Sequence, residues 1–159
     1  AFKMAAFDKV ALGFSRKVFD APPDARILAL TSTGQIVEAL LRPQGREGAI
    51  VYYSDEEARQ IETNGATAAV ATALSQLADI FGKDIRTALT GGRATRWSDD
   101  RFSRGAWSIA SAEQRAALAA PHQERVFFAG EATADGGAMG ALASGQRAAS
   151  EALALLGRR

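Results

Sequence analysis

Residue types that carry crosslinks or metal chemistry are missing or rare in this 159-residue sequence. It contains no cysteine, so a disulfide framework, a thiol nucleophile and a cysteine-ligated metal site are all excluded. The single histidine, His122, follows Pro121 in a polar loop and cannot by itself build a histidine cluster for a metal. We therefore expect no bound metal, and we interpret His122 as an exposed loop residue.

Charge and hydropathy also exclude classes of partner. The formal net charge is +1, which gives no argument for a nucleic acid or an anionic membrane as partner. No apolar run is long enough to span a bilayer, and no signal-peptide pattern opens the chain. Hydrophobic residues make up 47% of the chain and charged residues 23%, which is typical of a globular protein with a sizeable core. The default expectation is a cytoplasmic location.

Short apolar stretches separated by turns that contain glycine or proline predict a small, largely antiparallel sheet. The predicted strands are residues 9–14, 26–31, 35–41 and 49–53. Ser54 is followed by acidic residues, which predicts the start of a helix. Apolar residues at helical spacing predict an amphipathic helix over residues 66–81, ended by Gly82. A short capped helix is predicted over residues 111–119.

The most informative stretch begins with the apolar run 126–129, which is followed by Gly130-Glu131 and a glycine-rich turn. Small, helix-favouring residues come next, so the pattern predicts a buried strand that leads into the N-terminus of a helix. The free N–H groups at such an N-terminus favour a negatively charged or electron-rich ligand. Glu131 is placed to accept hydrogen bonds from a ligand hydroxyl. The plainer interpretation is an ordinary strand–helix unit packed through small residues.

At these residues the chain resembles the flavin-containing amine oxidases, whose members include monoamine oxidases, polyamine oxidases and lysine-specific histone demethylases. Their C-terminal motif is an apolar strand ending in Gly-Glu, a short loop and a Gly-Ala-x-x-Ser-Gly-x-Arg-Ala-Ala helix. Here the motif is Gly130-Glu131 and residues 140–149. The resemblance implies that FAD is bound by Gly130, Glu131, Ala138 and Met139. The acid would hold the ribityl and pyrophosphate part, and the helix N-terminus would face the flavin ring.

Earlier positions extend the resemblance. In these oxidases a strand that starts with Lys-Val carries a lysine that holds a water beside flavin N5, and Lys9 matches it as the candidate catalytic residue. Trp97 would lie against the flavin. Trp107 stands where the family commonly has a tyrosine of an aromatic cage, and its π-face could bind the amine substrate. Ala106 replaces the cysteine that links the flavin in monoamine oxidases, so the FAD would be non-covalent. The alternatives are a solvated lysine and two tryptophans in ordinary packing.

The expected fold class is mixed α/β, in two parts. Residues 1–92 would be a portion of a substrate domain, mostly antiparallel sheet plus helix. Residues 93–159 would be the C-terminal strand–helix portion of an FAD-binding dinucleotide fold. The G-x-G-x-x-G fingerprint that would hold the FAD pyrophosphate does not occur in the sequence. We therefore expect a C-terminal fragment that is inactive alone and needs the missing N-terminal half of the FAD-binding domain as its partner.

The activity that the resemblance implies is oxidation of a small-molecule amine to an imine, with dioxygen reduced to hydrogen peroxide. The loop between Gly130 and Gly140 looks shorter than in most members, and Gly137 or Ala138 stands where the second cage aromatic is expected. This leaves a desaturase-like or other flavoprotein oxidoreductase of the same fold as one alternative. A non-catalytic module that keeps the fold is the other.

Overall fold

A computed structural model describes residues 3–157. The chain forms two compact units: the sheet unit, Ala6–Arg104, and the terminal unit, which comprises residues 3–5 and 105–157. The strands are β1 Lys3–Met4, β2 Phe7–Phe14, β3 Ala25–Leu30, β4 Ile36–Leu41, β5 Gly48–Ser54, β6 Leu89–Ala94 and β7 Ser108–Ile109. The α-helices are α1 Asp55–Asn64, α2 Ala66–Phe81, α3 Ala112–Ala119 and α4 Ala138–Leu156. This confirms the predicted mixed α/β class.

The sheet unit is built on a five-stranded antiparallel sheet with the strand order β3-β4-β5-β2-β6. Successive side chains of a strand point to opposite faces. Val10, Leu12 and Phe14 of β2 are accordingly buried, whereas Lys9 and Ala11 are exposed. The buried face packs against apolar residues of α1 and α2. All four predicted strands are confirmed, with shifts of one or two residues at their ends.

Strand β6 was not predicted from the sequence. Glycine is depleted in strands, and Gly91 and Gly92 interrupt any apolar alternation in this segment. The structure shows why glycine is needed there. A Cβ atom at Gly92 would lie 2.9 Å from the carbonyl oxygen of Ala11 and from side-chain atoms of Leu12 and Val70. The close approach of β6 to β2 and α2 therefore depends on this glycine.

The two helices of the sheet unit begin and end close to the predicted residues. Helix α1 starts at Asp55, directly after Ser54, although the Ser54 side chain makes no capping hydrogen bond. Acidic residues in its first turn favour this start, because they interact with the positive end of the helix dipole. Helix α2 ends at Gly82, whose φ of 102° is a conformation that glycine adopts readily.

The terminal unit contains the antiparallel pair β1–β7 and the helices α3 and α4. Helix α3 starts with a capping box: the Ser111 hydroxyl accepts from the Gln114 backbone N–H, and the Gln114 side chain accepts from the Ser111 backbone N–H. The predicted short helix is thus confirmed. No helix within residues 3–157 has both the length and the apolar character that crossing a bilayer requires.

The expected strand over the apolar run before Gly130 does not form. Residues 127–129 have no regular secondary structure, and Val126 makes only an isolated bridge with His122. A strand is stabilised by hydrogen bonds to neighbouring strands. Within residues 3–157 no strand pairs with this run, and the side chains of Val126 and Phe128 are exposed. The segment therefore has the apolar composition of a core strand, but residues 3–157 contain no strand that pairs with it.

Candidate functional site

The predicted site residues fall in both units. Lys9 and Trp97 belong to the sheet unit. The others belong to the terminal unit and are Trp107, Gly130, Glu131, Ala138 and Met139.

Lys9 lies on the exposed face of the sheet, opposite the core. Its Nζ lies 5.6 Å from the centroid of the Tyr52 ring, which is its partner in the β2–β5 register. Phe7 stacks with the same ring, with 6.0 Å between the two centroids and an angle of 28° between the planes. A cation over an aromatic face is attracted by the ring quadrupole. The strand pairing thus presents an ammonium group and two aromatic rings together on one open face.

A concavity of about 470 Å³ adjoins this face of the sheet. Its walls include the aromatic rings of Phe7 and Tyr52, the aliphatic side chains of Leu28 and Ile36, and the carboxylates of Glu38 and Glu57. Leu28 and Ile36 are both exposed. Small-molecule sites combine aromatic and aliphatic walls with polar groups, and both kinds of group line this concavity. The two carboxylates and the aromatic faces favour a ligand that combines a cation with an apolar part.

Trp97 lies in the segment of residues 95–98 that follows β6, and its side chain is exposed. Backbone contacts fix this segment to β2. The Lys9 N–H donates to the Thr95 hydroxyl at 2.8 Å, and the Thr95 N–H donates to the Lys9 carbonyl at 2.9 Å. The Trp97 N–H donates to the Asp8 carboxylate at 3.2 Å. Lys9 and Trp97 are therefore held in one hydrogen-bonded network within the sheet unit.

In the terminal unit, Glu131 is tied to the residue that follows Trp107. Its carboxylate accepts from the Ser108 backbone N–H at 2.8 Å and from the Ser108 hydroxyl at 2.9 Å. Arg115 donates to the Glu131 carbonyl at 2.9 Å, and its guanidinium lies 4.0 Å from the carboxylate. A carboxylate has about four acceptor positions. Glu131 can therefore anchor the Trp107 segment and still accept from a ligand hydroxyl.

The glycine-rich loop and the start of α4 leave the backbone open. No atom lies within 4 Å of where a Cβ would stand at Gly130 or Gly137, and both have positive φ. Ala138 and Met139 form the first turn of α4, where helical N–H groups have no partner inside the helix. Both side chains are exposed. This geometry fits a ligand with electron-rich or anionic groups, because the open glycines allow close approach and the helix end supplies donors.

Two polar residues of α4 that the site prediction did not include hold this loop in place. The buried Ser144 hydroxyl accepts from the Gly130 N–H at 2.9 Å. Arg147 donates to the Phe128 carbonyl at 2.7 Å and to the Ala119 carbonyl at 3.0 Å. Both residues belong to the motif of residues 140–149. The signal that could have found them is a polar or charged side chain among otherwise small residues on one helix.

Comparison with known families gives a match to this chain. The family model described as "Flavin containing amine oxidoreductase" matches residues 1–153, nearly the whole chain. The match assigns the protein to the flavin-dependent oxidoreductases. Within that class, the chain belongs to the flavin-containing amine oxidoreductase family. A search of curated proteins gave no match.

The residues present fit a flavin cofactor in the terminal unit. The fit rests on the open backbone at Gly130 and Gly137, on the donors at the start of α4 and on the spare acceptor capacity of Glu131. Beyond Glu131, these contacts would be made by the backbone. Ala138 and Met139 would contribute through their N–H groups, so their side-chain types matter little for binding.

Proposed function

We propose that this chain forms the substrate-facing and flavin-facing C-terminal part of an FAD-dependent amine oxidase. The observation that carries the proposal is the exposed face of the sheet, where Lys9 lies over Tyr52 beside a concavity with aromatic walls and two carboxylates. Together with the family, this combination supports an amine as the substrate. Bound FAD would supply the two-electron oxidation of the carbon next to the amine nitrogen.

The roles of the protein's own residues follow from their chemistry. Lys9 would hold a water beside flavin N5 through its ammonium group, which is a compact donor on a flexible stem. Trp107 would bound the substrate with its ring, and its position is fixed by the bonds of Ser108 to Glu131. Trp97 would lie against the flavin, at a position set by the contacts of residues 95–98 with β2. Glu131 would accept from the ribityl hydroxyls.

The FAD would be held without a covalent bond, because Ala106 carries no nucleophilic group. We further propose that the pyrophosphate of FAD is held by a dinucleotide-binding half outside this sequence. Two observations support this: the sequence has no G-x-G-x-x-G fingerprint, and the apolar run at residues 126–129 has no strand partner within residues 3–157. The 159-residue chain alone is then expected to lose FAD during gel filtration. Retention of stoichiometric FAD would contradict this dependence.

A substrate panel tests the activity. The protein used would comprise this chain, the dinucleotide-binding half and bound FAD. It would be incubated with primary amines, polyamines, N-methylated amines and uncharged apolar alkenes, and both flavin reduction and hydrogen peroxide would be measured. Peroxide formed only with amines supports the proposal. Flavin reduction by the alkenes without peroxide would instead support a desaturase-like oxidoreductase. Flavin that no member of the panel reduces would support a non-catalytic module.

A further inference from the structure

Asp8 is a carboxylic acid on the core side of β2. It is fully buried, with 0% of its surface exposed, between neighbours on the strand that also face the core. Its Oδ1 accepts from the Thr95 hydroxyl at 2.7 Å and from the Trp97 N–H at 3.2 Å. Its Oδ2 is buried and has no hydrogen-bond donor among the described residues. A buried carboxylate oxygen without a donor is costly, so this atom needs an explanation.

Glu62 supplies one. This residue of α1 is buried, and its Oε1 accepts from the Ser98 N–H at 2.7 Å. Its carboxyl group interacts electrostatically with that of Asp8, and the N–H groups that the two carboxyl groups hold belong to the adjacent residues Trp97 and Ser98. Two ionised carboxylates are both acceptors and repel each other, whereas one proton between them makes a hydrogen bond. A proton on Oδ2 of Asp8 thus turns an orphaned acceptor into a donor.

The surroundings of Asp8 favour the protonated form. Burial raises the pKa of Asp8 most strongly, and the neighbouring Glu62 raises it further, against the opposing effect of the Thr95 and Trp97 donors. Tyr53 on β5 is the cross-strand partner of Asp8, and its hydroxyl donates to Gln76 of α2 at 2.7 Å. Among residues 3–157, no lysine or arginine forms an ion pair with Asp8.

Asp8 and Glu62 both hold the segment that carries Trp97 through hydrogen bonds. Asp8 holds Thr95 and the Trp97 backbone, and Glu62 holds the Ser98 backbone. The same Thr95 hydroxyl also accepts from the backbone N–H of Lys9. Both buried carboxyl groups therefore act on the segment at residues 95–98, and one of them also acts on the strand position of Lys9.

We propose that Asp8 is a positioning residue, which shares one proton with Glu62 and thereby fixes residues 95–98, with Trp97, relative to Lys9. Loss of the shared proton would place two negative charges side by side in the core, and their repulsion would move the two carboxyl groups apart together with the residues that they hold. Trp97 would then change its environment as the pH rises. The consequence for flavin chemistry rests on the proposed function, whereas the proton-sharing pair and its effect on Trp97 do not.

Tryptophan fluorescence tests the proposal without FAD. The sequence has two tryptophans, so a Trp107→Phe variant leaves Trp97 as the reporter. We expect its emission and its quenching by acrylamide to follow a single titration above the usual range of an aspartate. Asp8→Asn in the same background should abolish the titration, because the amide donates to Glu62 without a titrating proton. Glu62→Gln should shift it to lower pH, whereas Glu56→Gln, an exposed residue of the same helix, should leave it unchanged.

Infrared spectroscopy gives a second measurement on the unsubstituted chain. We expect a buried carboxylic acid C=O band that persists above the ordinary aspartate pKa of 3.8 and disappears over the same pH range as the fluorescence change. Emission that does not depend on pH, or a titration that persists in Asp8→Asn, would overturn the proposal. If Asp8→Asn fails to fold, a missing acid band in the unsubstituted protein would overturn it equally. In the FAD-loaded protein, Asp8→Asn should also remove one limb from the pH profile of flavin reduction.

Discussion

Glu131 and Ser108 are joined by two hydrogen bonds, one to the backbone N–H and one to the hydroxyl, at 2.8 and 2.9 Å. Glu131 is the residue proposed to hold the ribityl chain of FAD. Through these two bonds it also fixes Ser108, which follows Trp107, the residue proposed to bound the substrate. Under the proposed function, cofactor binding and substrate binding in the terminal unit would both depend on the Glu131 carboxylate.

This arrangement predicts a double effect for Glu131→Ala. Loss of both charge-assisted bonds should lower the free energy of unfolding by about 2 kcal/mol and should also weaken FAD retention. Ser108→Ala keeps the backbone bond, so we expect a smaller loss of stability, about 1 kcal/mol, with FAD still bound. Urea denaturation of the chain measures the first effect, and flavin occupancy after gel filtration of the protein that also contains the dinucleotide-binding half measures the second. Unchanged flavin occupancy in Glu131→Ala would show that the carboxylate serves structure alone.

Substituting alanine for either of two glycines of α4 should change the free energy of unfolding in opposite directions. A Cβ at Gly140 would lie 1.4 Å from the carbonyl oxygen of Asp135, so Gly140→Ala must displace the loop that precedes the helix. We expect a loss of about 2–3 kcal/mol in the free energy of unfolding. Gly145 has no atom within 4 Å of its Cβ position, and Gly145→Ala should stabilise the helix by about 0.5–1 kcal/mol. Equal effects in thermal unfolding would contradict the tight turn at residues 135–140.

The stability of the protein should depend on pH through Asp8. Its pKa is raised in the folded state, mainly by burial, so the folded protein binds the proton more tightly than the unfolded chain. The free energy of unfolding should therefore fall as the pH rises from the ordinary aspartate pKa of 3.8 to the raised folded value. Asp8→Asn should flatten this fall, while Asp99→Asn, at an exposed carboxylate, should retain it. Denaturation at a series of pH values gives the comparison, and an unchanged slope in Asp8→Asn would count against the assignment.

Lys9→Met should slow flavin reduction or reoxidation by about 10²-fold, while FAD stays bound. Methionine has a similar length but no ammonium group to hold a water. Lys83→Met removes an exposed lysine from the same unit and should have no such effect. Stopped-flow absorbance separates reduction from reoxidation. Rates equal to those of the unsubstituted protein would leave Lys9 as a solvated strand residue that packs over Tyr52.

Much of the fold could be predicted because local signals agreed with the final contacts. The alternation around Val10 and Leu12 predicted β2, and the Ser111 cap predicted α3, since both features act within a few residues. Strand β6 could not be predicted, because Gly91 and Gly92 allow close packing between distant segments and sequence periodicity contains no signal of such packing. The run at 126–129 was interpreted as a strand from its composition, yet pairing depends on neighbours that residues 3–157 do not provide.

The backbone geometry around the candidate site was predictable to a similar extent, whereas the roles of its residues stay predictions. The motif at residues 130–149 led to the glycine-rich loop and the start of α4, because backbone geometry there follows from local residue types. The proton-sharing pair of Asp8 and Glu62 could not be found in this way. These residues are 54 positions apart in the sequence and come together only when α1 packs on the sheet. The same holds for the contact between Glu131 and Ser108.

The most direct test of the proposed amine oxidation is the visible absorption spectrum of the FAD-loaded protein, recorded without oxygen before and after addition of an amine. We expect the flavin absorption bands to bleach when the amine is added. Denaturation should release the flavin into solution, because the FAD is non-covalent. Readmitted oxygen should restore the bands and produce hydrogen peroxide. Bound flavin that no amine bleaches would contradict the proposed activity.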